Sequence, residues 1–144
     1  MINLNQETIL EIGKFTVLWG MFEENKCDNN CCVSKLEELA KTYKVSDNWK
    51  KLSETLMKRA DFIAGSLNTY VDNNLSLGNG LNGVQKEKVK QFINTPCSKN
   101  IAGGLFATYR IRNNMFHGLK NWYDLDGQID LFKAINAVLE DINN

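Results

Sequence analysis

The chain has 144 residues, of which 43% are hydrophobic and 24% are charged, and its formal net charge is +0. This composition fits one globular domain over residues 1–144. A neutral net charge argues against a protein that coats nucleic acid by bulk electrostatics. The N-terminus lacks the basic start and apolar block of a signal peptide, and all apolar runs are short, so we expect a cytoplasmic protein without a membrane span.

Apolar residues recur at three- and four-residue spacing along most of the chain, and Pro96 is the only proline. This periodicity predicts an all-α fold, an up-and-down bundle of about five or six helices. The first predicted helix spans 6–25. The second starts at Ser34, which forms a capping box with Glu37, and it ends near residue 43. A third, capped by Ser46 or Asp47, runs to residue 71.

Three further helices are predicted in the second half of the chain, after a loop over 75–83 that holds three glycines. The first of them spans 84–94 and stops before Pro96, because the residue preceding a proline is pushed out of helical geometry. The next spans 99–116, and the last spans 128–142. We detect no internal repeat or low-complexity segment.

Basic residues are concentrated between Val84 and Lys120, where Glu87 is the only acidic residue. A solvated helix face is the ordinary explanation for such a cluster. This segment, however, also contains the sequence Arg112-Asn113-Asn114-Met115-Phe116-His117-Gly118, with the only histidine of the chain. We therefore predict that it binds a phosphate-bearing ligand.

The residue types of this motif suit metal-independent phosphodiester cleavage. Histidine titrates near neutral pH and can move a proton, whereas arginine grips phosphate. Gly118 is expected to end the helix, which leaves His117 in the last turn, where the helix dipole favours imidazolium. The structural alternative is a histidine that only caps the helix and an arginine that only holds helices together.

Helical geometry predicts which way the motif side chains point. At 100° per residue, Arg112 falls within the apolar face, whereas Phe106, Asn113 and His117 share another face that is free for a partner. An inward arginine needs a counter-charge, and Glu23, in line with the inner face of the first helix, is our candidate. Arg112 and His117 lie about 140° apart on an ideal helix. Either the long arginine reaches around or the helix deforms near Gly118.

The stretch from Ile111 to Lys120 resembles the R-x4-H motif of the HEPN superfamily (higher eukaryotes and prokaryotes nucleotide-binding domains), in particular its bacterial ribonuclease branch. There the pattern R-N-x-x-x-H-G is followed closely by lysine. The early segment Trp19-Gly20-Met21-Phe22-Glu23 and the penultimate position of the motif helix are also similar. Only the R-x4-H core is a specific motif match, and the rest of the resemblance comes from the surrounding sequence.

The resemblance implies an endoribonuclease that works without a metal or cofactor, as a homodimer whose two motif helices line one cleft. Arg112 would bind phosphate, His117 would be the acid or base, and Asn113 would be the polar residue that follows the arginine. Supporting residues would be Asn114 and Glu23, and RNA would also contact Lys99, Arg110 and Lys120. Toxin and defence roles are common in this family, so an antitoxin protein is a candidate partner. The alternative is a non-catalytic helical dimer that binds a nucleotide or a partner protein.

The four cysteines do not match a zinc-site spacing. Cys27, Cys31 and Cys32 cluster in an asparagine-rich loop, and Cys97 stands beside Pro96. Without a C-x2-C pair and with His117 assigned elsewhere, we predict no metal site. In a cytoplasmic protein we expect free thiols, although three close cysteines could oxidise.

Overall fold

The described part of the chain forms seven α-helices and one 3₁₀ helix, which confirms the all-α class but exceeds the five or six helices expected. The computed structural model describes residues 4–64, 66–72, 76–95, 100–116 and 122–144, and of residues 60–64, 116 and 122–124 it describes the backbone alone. In chain order the helices are α1 (Gln6–Lys26), α2 (Val33–Ala40), α3 (Asp47–Ala64), α4 (Leu67–Asp72), α5 (Gly83–Asn94), α6 (Ile101–Phe116), the 3₁₀ helix (Trp122–Gln128) and α7 (Ile129–Asn143).

Two groups of helices make most of the packing. α1 and α3 lie against α7, while α5 and α2 lie against α6. Aromatic side chains fill the contact between α1 and α7, where the rings of Phe15 and Phe132 are 6.1 Å apart. Both rings are fully buried, and burying such a side chain stabilises the fold by about 2–3 kcal/mol. Among the described helices, none combines the length and apolar character needed to cross a lipid bilayer.

The predicted third helix is two helices, because a hydroxyl cap begins a new one at Ser66. The Ser66 side chain accepts a hydrogen bond of 3.2 Å from the backbone N–H of Thr69, and Tyr70 N–H bonds the Ser66 carbonyl at 3.1 Å. A serine that satisfies a first-turn N–H in this way starts a helix. α4 therefore begins where apolar periodicity alone predicts that α3 continues.

The predicted capping box at Ser34 and Glu37 is wrong, since the N-cap of α2 is Cys32 and Ser34 lies inside the first turn. A capping box does exist at the start of α5. There Asn82 Oδ1 accepts from Gln85 N–H and Gln85 Oε1 accepts from Asn82 N–H, each at 2.9 Å. The sequence signal was present as an asparagine followed three residues later by glutamine.

The loop between α1 and α2 is closed by a disulfide that joins Cys27 and Cys31, with Cα atoms 5.1 Å apart. This differs from the free thiols expected for these two residues. Asp28 and Asn29, between the cysteines, have φ angles of 51° and 64°, a region that aspartate and asparagine tolerate better than most residues. The tight reversal brings the two sulfurs together. Cys97 lies outside the described residues.

Candidate functional site

The helix that carries the motif, α6, is enclosed on all sides along its first half. Residues 101–108 are all buried. Two glycines permit this, because a Cβ at Gly103 would overlap the backbone carbonyl of Lys88, and one at Gly104 would lie 2.7 Å from the Trp49 ring. α5 and α3 therefore approach the α6 backbone directly, and the close packing holds the helix in a fixed position.

The free face predicted for α6 is not free. Phe106 is 0% exposed and Asn113 is 9% exposed, so two of the three residues assigned to that face are buried within the chain itself. The prediction assumed that a helix has one buried face, whereas α6 is apolar on several sides and is covered by α2, α3 and α5. The predicted homodimer contact through Phe106 and Asn113 is therefore wrong, and the homodimer itself stays a prediction.

Arg112 lies in the last described turn of α6 and is half-buried. Its Nη1 donates a hydrogen bond of 3.1 Å to Oδ1 of the adjacent Asn113. Because Asn113 is buried, its amide has little freedom to turn away, and it holds one edge of the guanidinium in place. A guanidinium has five N–H donors in a rigid fork, and Nη1 uses one of them on the Asn113 amide.

The predicted pair of Glu23 and Arg112 is not formed among the described side chains. Glu23 is half-buried, and its Oε2 accepts a hydrogen bond of 2.7 Å from Trp19 Nε1, one turn earlier on α1. The ion pairs of the described residues do not join Glu23 to Arg112. The helical pattern correctly directs Glu23 inward, but an indole N–H on its own helix binds the carboxylate.

Arg110, predicted to bind RNA, is half-buried beside a turn. Its Nη1 would lie 3.8 Å from a Cβ built on Gly80, which has a φ of +79° that favours glycine. Burial lowers the pKa of Arg110 below its ordinary value, and the nearby Tyr109 opposes that shift. The guanidinium still carries its charge at neutral pH, because arginine remains protonated in proteins.

Four predicted site residues remain, and the structure describes one of them. Asn114 is half-buried, and its Oδ1 is buried and lacks a hydrogen-bond partner within the described part of the chain. His117, Lys99 and Lys120 are the three outside it. The separation of Arg112 from His117 therefore stays a prediction.

One polar contact in the segment that follows the motif was missed at the sequence level. Asp126, in the 3₁₀ helix that follows the motif, accepts hydrogen bonds at Oδ1 from the backbone N–H of Asn5 and from the hydroxyl of Thr8. These bonds tie the 3₁₀ helix to the start of α1. Asp126 is one of several acidic residues in this part of the sequence, and the sequence gave no signal of its role.

Comparison with known proteins adds no relative. The chain matches no protein-family model, no curated protein and no solved structure. Within the described residues, no group of three or more histidine, cysteine, aspartate or glutamate side chains is arranged to hold a metal ion.

Proposed function

We propose that this chain is a metal-independent endoribonuclease of the HEPN type, with Arg112 and His117 at its centre. In this reaction the ribose 2′-hydroxyl attacks the adjacent phosphorus and the bond to the 5′-oxygen breaks. Arg112 would offset the charge of the phosphorane-like transition state. His117 would take the hydroxyl proton or give a proton to the leaving oxygen. The products would end in a 2′,3′-cyclic phosphate and a 5′-hydroxyl.

The observation that carries this proposal is the setting of Arg112. The residue is half-buried at the end of a tightly packed helix, and the Asn113 amide orients its guanidinium. A cation that is fixed before substrate binds needs little rearrangement when charge develops on phosphate, and such preorganised groups contribute about 3–4 kcal/mol. In the sequence His117 follows five residues after Arg112.

RNA binding would extend from this centre to neighbouring cations. Lys99, Arg110 and Lys120 are the candidates from the sequence, and the half-buried Arg110 offers part of its guanidinium to a ligand. Since the formal net charge is +0, affinity would come from this local group of cations rather than from the whole surface.

The homodimer and the antitoxin partner belong to the proposal through the family resemblance alone. A dimer cleft cannot use the ring of Phe106, which is buried in one chain. It would instead use the second half of α6 and the residues that follow it. The toxin or defence role, and a cytoplasmic location, are part of the same proposal.

The deciding experiment incubates the purified protein with structured and with unstructured RNA in the presence of a chelator. We expect cleavage that leaves 2′,3′-cyclic phosphate ends and that falls about 100- to 10,000-fold in His117→Ala. Lys44→Ala, which removes an exposed cation outside α6, is the control and should cleave like the wild type. Cleavage that requires magnesium and persists in His117→Ala would contradict the enzymatic proposal.

A non-catalytic binding function is the second candidate, and one observation favours it. The buried amide of Asn113 is engaged by Arg112 of the same chain, so the motif has a structural use without any substrate. The same experiment separates the two functions. If the wild-type protein binds RNA or a nucleotide but never cuts RNA, the binding function replaces the nuclease proposal.

A further inference from the structure

α1 is apolar on two sides, and the chain covers only one of them. The inner side carries the aromatic residues that pack against α7. On the outer side lie four of the five exposed large apolar side chains of the described residues, namely Ile9, Leu10, Val17 and Met21. Single apolar residues on a surface are ordinary, but four of them on one helix form a patch of the kind that marks an interaction site.

The outer side of α1 has the residue spacing of a coiled-coil seam. We call the α1 stripe the four exposed residues Leu10, Gly13, Val17 and Gly20. They are separated by three, four and three residues, and they fall within about 80° of one another around an ideal helix. A large residue and a glycine alternate along the stripe, so it consists of two projections and two gaps.

The two glycines of the stripe have no structural use within the described chain. A Cβ added at Gly13 or Gly20 would meet no atom within 4 Å, and both residues lie inside a regular helix without a positive φ. Gly103 differs, because a Cβ there would overlap the Lys88 carbonyl. Glycine inside a helix lowers stability relative to alanine. The remaining physical reason for glycine at the two α1 positions is close approach by a group from outside the chain.

We propose that the α1 stripe binds the α1 stripe of a second copy of this chain, antiparallel, around a two-fold axis. In this register Leu10 faces Gly20 of the second copy, and Val17 faces Gly13 of the second copy. The two-fold axis repeats both contacts, which gives four layers with one projection and one gap in each. A two-fold interface has to be complementary to itself, and the α1 stripe meets this requirement.

The charges around the stripe are compatible with a second copy as the occupant. Glu7 forms an ion pair with Lys133 of α7. Lys14 forms one with Glu140 of the same helix. The charged side chains beside the stripe therefore need no counter-charge from a partner. The formal net charge of the chain is +0, so two copies do not repel each other through their overall charge.

The interface is separate from the motif helix and is small. Trp19, on the inner side of α1, lies 6.2 Å from the ring of Tyr109 on α6, so the stripe points away from α6. The dimer therefore does not depend on the proposed nuclease function. A helix of 21 residues is about 30 Å long and about 10 Å wide, so the pair buries on the order of 600 Å² in total. This area predicts a weak, reversible dimer.

Sedimentation equilibrium from about 5 to 500 μM tests the proposal, and we expect a dissociation constant of tens of micromolar. Val17→Asp places a carboxylate in an apolar layer and should raise that constant at least about tenfold. Val84→Asp makes the same change at the exposed large side chain of α5, which is 68% exposed, and is the control that should associate like the wild type. A wild-type chain that stays monomeric at 500 μM, or equal weakening in both variants, would overturn the proposal.

A swap within the stripe separates the proposed register from general apolar association. Gly13→Val adds apolar surface, but the added side chain meets Val17 of the second copy, so the dissociation constant should rise about tenfold. The double variant Gly13→Val/Val17→Gly restores one projection and one gap to each layer, and it should return the constant to within about threefold of the wild type. Circular dichroism checks folding of each variant, and stability is measured at dilutions where the chain is monomeric. Tighter association of Gly13→Val, or a double variant no better than Gly13→Val, would overturn the proposal.

Discussion

The two halves of α6 have opposite character, although they belong to one continuous helix. Residues 101–108 are all buried, and a glycine pair lets neighbouring helices touch the backbone. Of residues 109–115, Ile111 and Asn113 are buried and the other five are half-buried, and the stretch includes two arginines and two asparagines. The first half is a packing element, and the second half holds charged groups at the edge of the core.

This contrast shows how a small helical protein can hold a cation at the edge of its core. A half-buried arginine loses part of its hydration, and that loss has to be offset by polar neighbours. In this chain a buried asparagine supplies one such contact, and the packed first half keeps the helix from shifting. Rigid packing thus belongs to the first turns of the helix, and in the proposed function ligand binding would belong to the last turns.

The largest expected effect tests whether the first half is a packing element. Phe106→Ala should lower the free energy of unfolding by about 3–5 kcal/mol, since it removes a fully buried ring and leaves a cavity. Val17→Ala, at a side chain that is 63% exposed on α1, is the control and should change it by less than about 0.5 kcal/mol. Urea unfolding measures both. An unchanged urea midpoint for Phe106→Ala would mean that this ring is exposed, as the helical pattern alone predicted.

The same substitution at two glycines sharpens the comparison further. Gly103→Ala should destabilise the protein by about 2–3 kcal/mol, because the added methyl group overlaps the Lys88 carbonyl and α5 has to move. Gly13→Ala, on α1 with no atom within 4 Å of the added Cβ, should stabilise it by about 1 kcal/mol through helix propensity. Thermal unfolding distinguishes the two signs. Equal shifts would mean that α5 does not approach α6 as closely as described.

For the second half, the sharpest change is Asn113→Asp. The carboxylate can accept the same hydrogen bond from Arg112, so the fold should survive, but its charge competes with phosphate for the guanidinium. We expect RNA affinity to fall about tenfold. The slope of the logarithm of the binding constant against the logarithm of salt concentration should become shallower by about 0.7. This is the change expected when one phosphate contact on a single strand is lost.

Asn68→Asp adds the same charge at an exposed position on α4 and serves as the control for this variant. Fluorescence anisotropy with a labelled RNA at several salt concentrations gives both quantities. Similar weakening in the two variants would assign the effect to net charge, and Arg112 would then have no particular role in binding RNA.

The predicted and observed helices agree best where apolar spacing is regular. The helix predicted over 6–25 is observed as Gln6–Lys26, and the helix predicted over 84–94 is observed as Gly83–Asn94. Periodicity failed where a local hydrogen bond competed with it, as at Ser66, whose hydroxyl starts α4. Apolar spacing records which residues avoid water, but it does not record where a side chain ends one helix and caps the next.

For the candidate site, the helical pattern predicted directions better than partners. Glu23 does point inward, but the pattern could not show that Trp19 would bind its carboxylate. Phe106 was predicted on an open face, although Gly103 and Gly104, just before it in the sequence, were a signal that helices could pack closely there. A partner is a matter of three-dimensional distance, which one sequence does not contain. The position of His117 relative to Arg112 stays a prediction, because His117 lies outside the described residues.

The smallest expected effect tests how far the first half of α6 depends on α5, which covers it. Asn82→Ala removes the side chain that caps α5 and should cost about 1 kcal/mol of stability, while Asn82→Gly should cost only a few tenths because glycine is tolerated at an N-cap. Hydrogen exchange of the α5 amides provides the readout beside urea unfolding. Since α5 packs on the glycine pair of α6, fraying of its first turn should weaken protection at Lys88 before it weakens protection in α7. Equal loss of protection in α5 and α7 would instead mean that the helices unfold as one unit, and that α5 has no separate stability as the cover of the first half of α6.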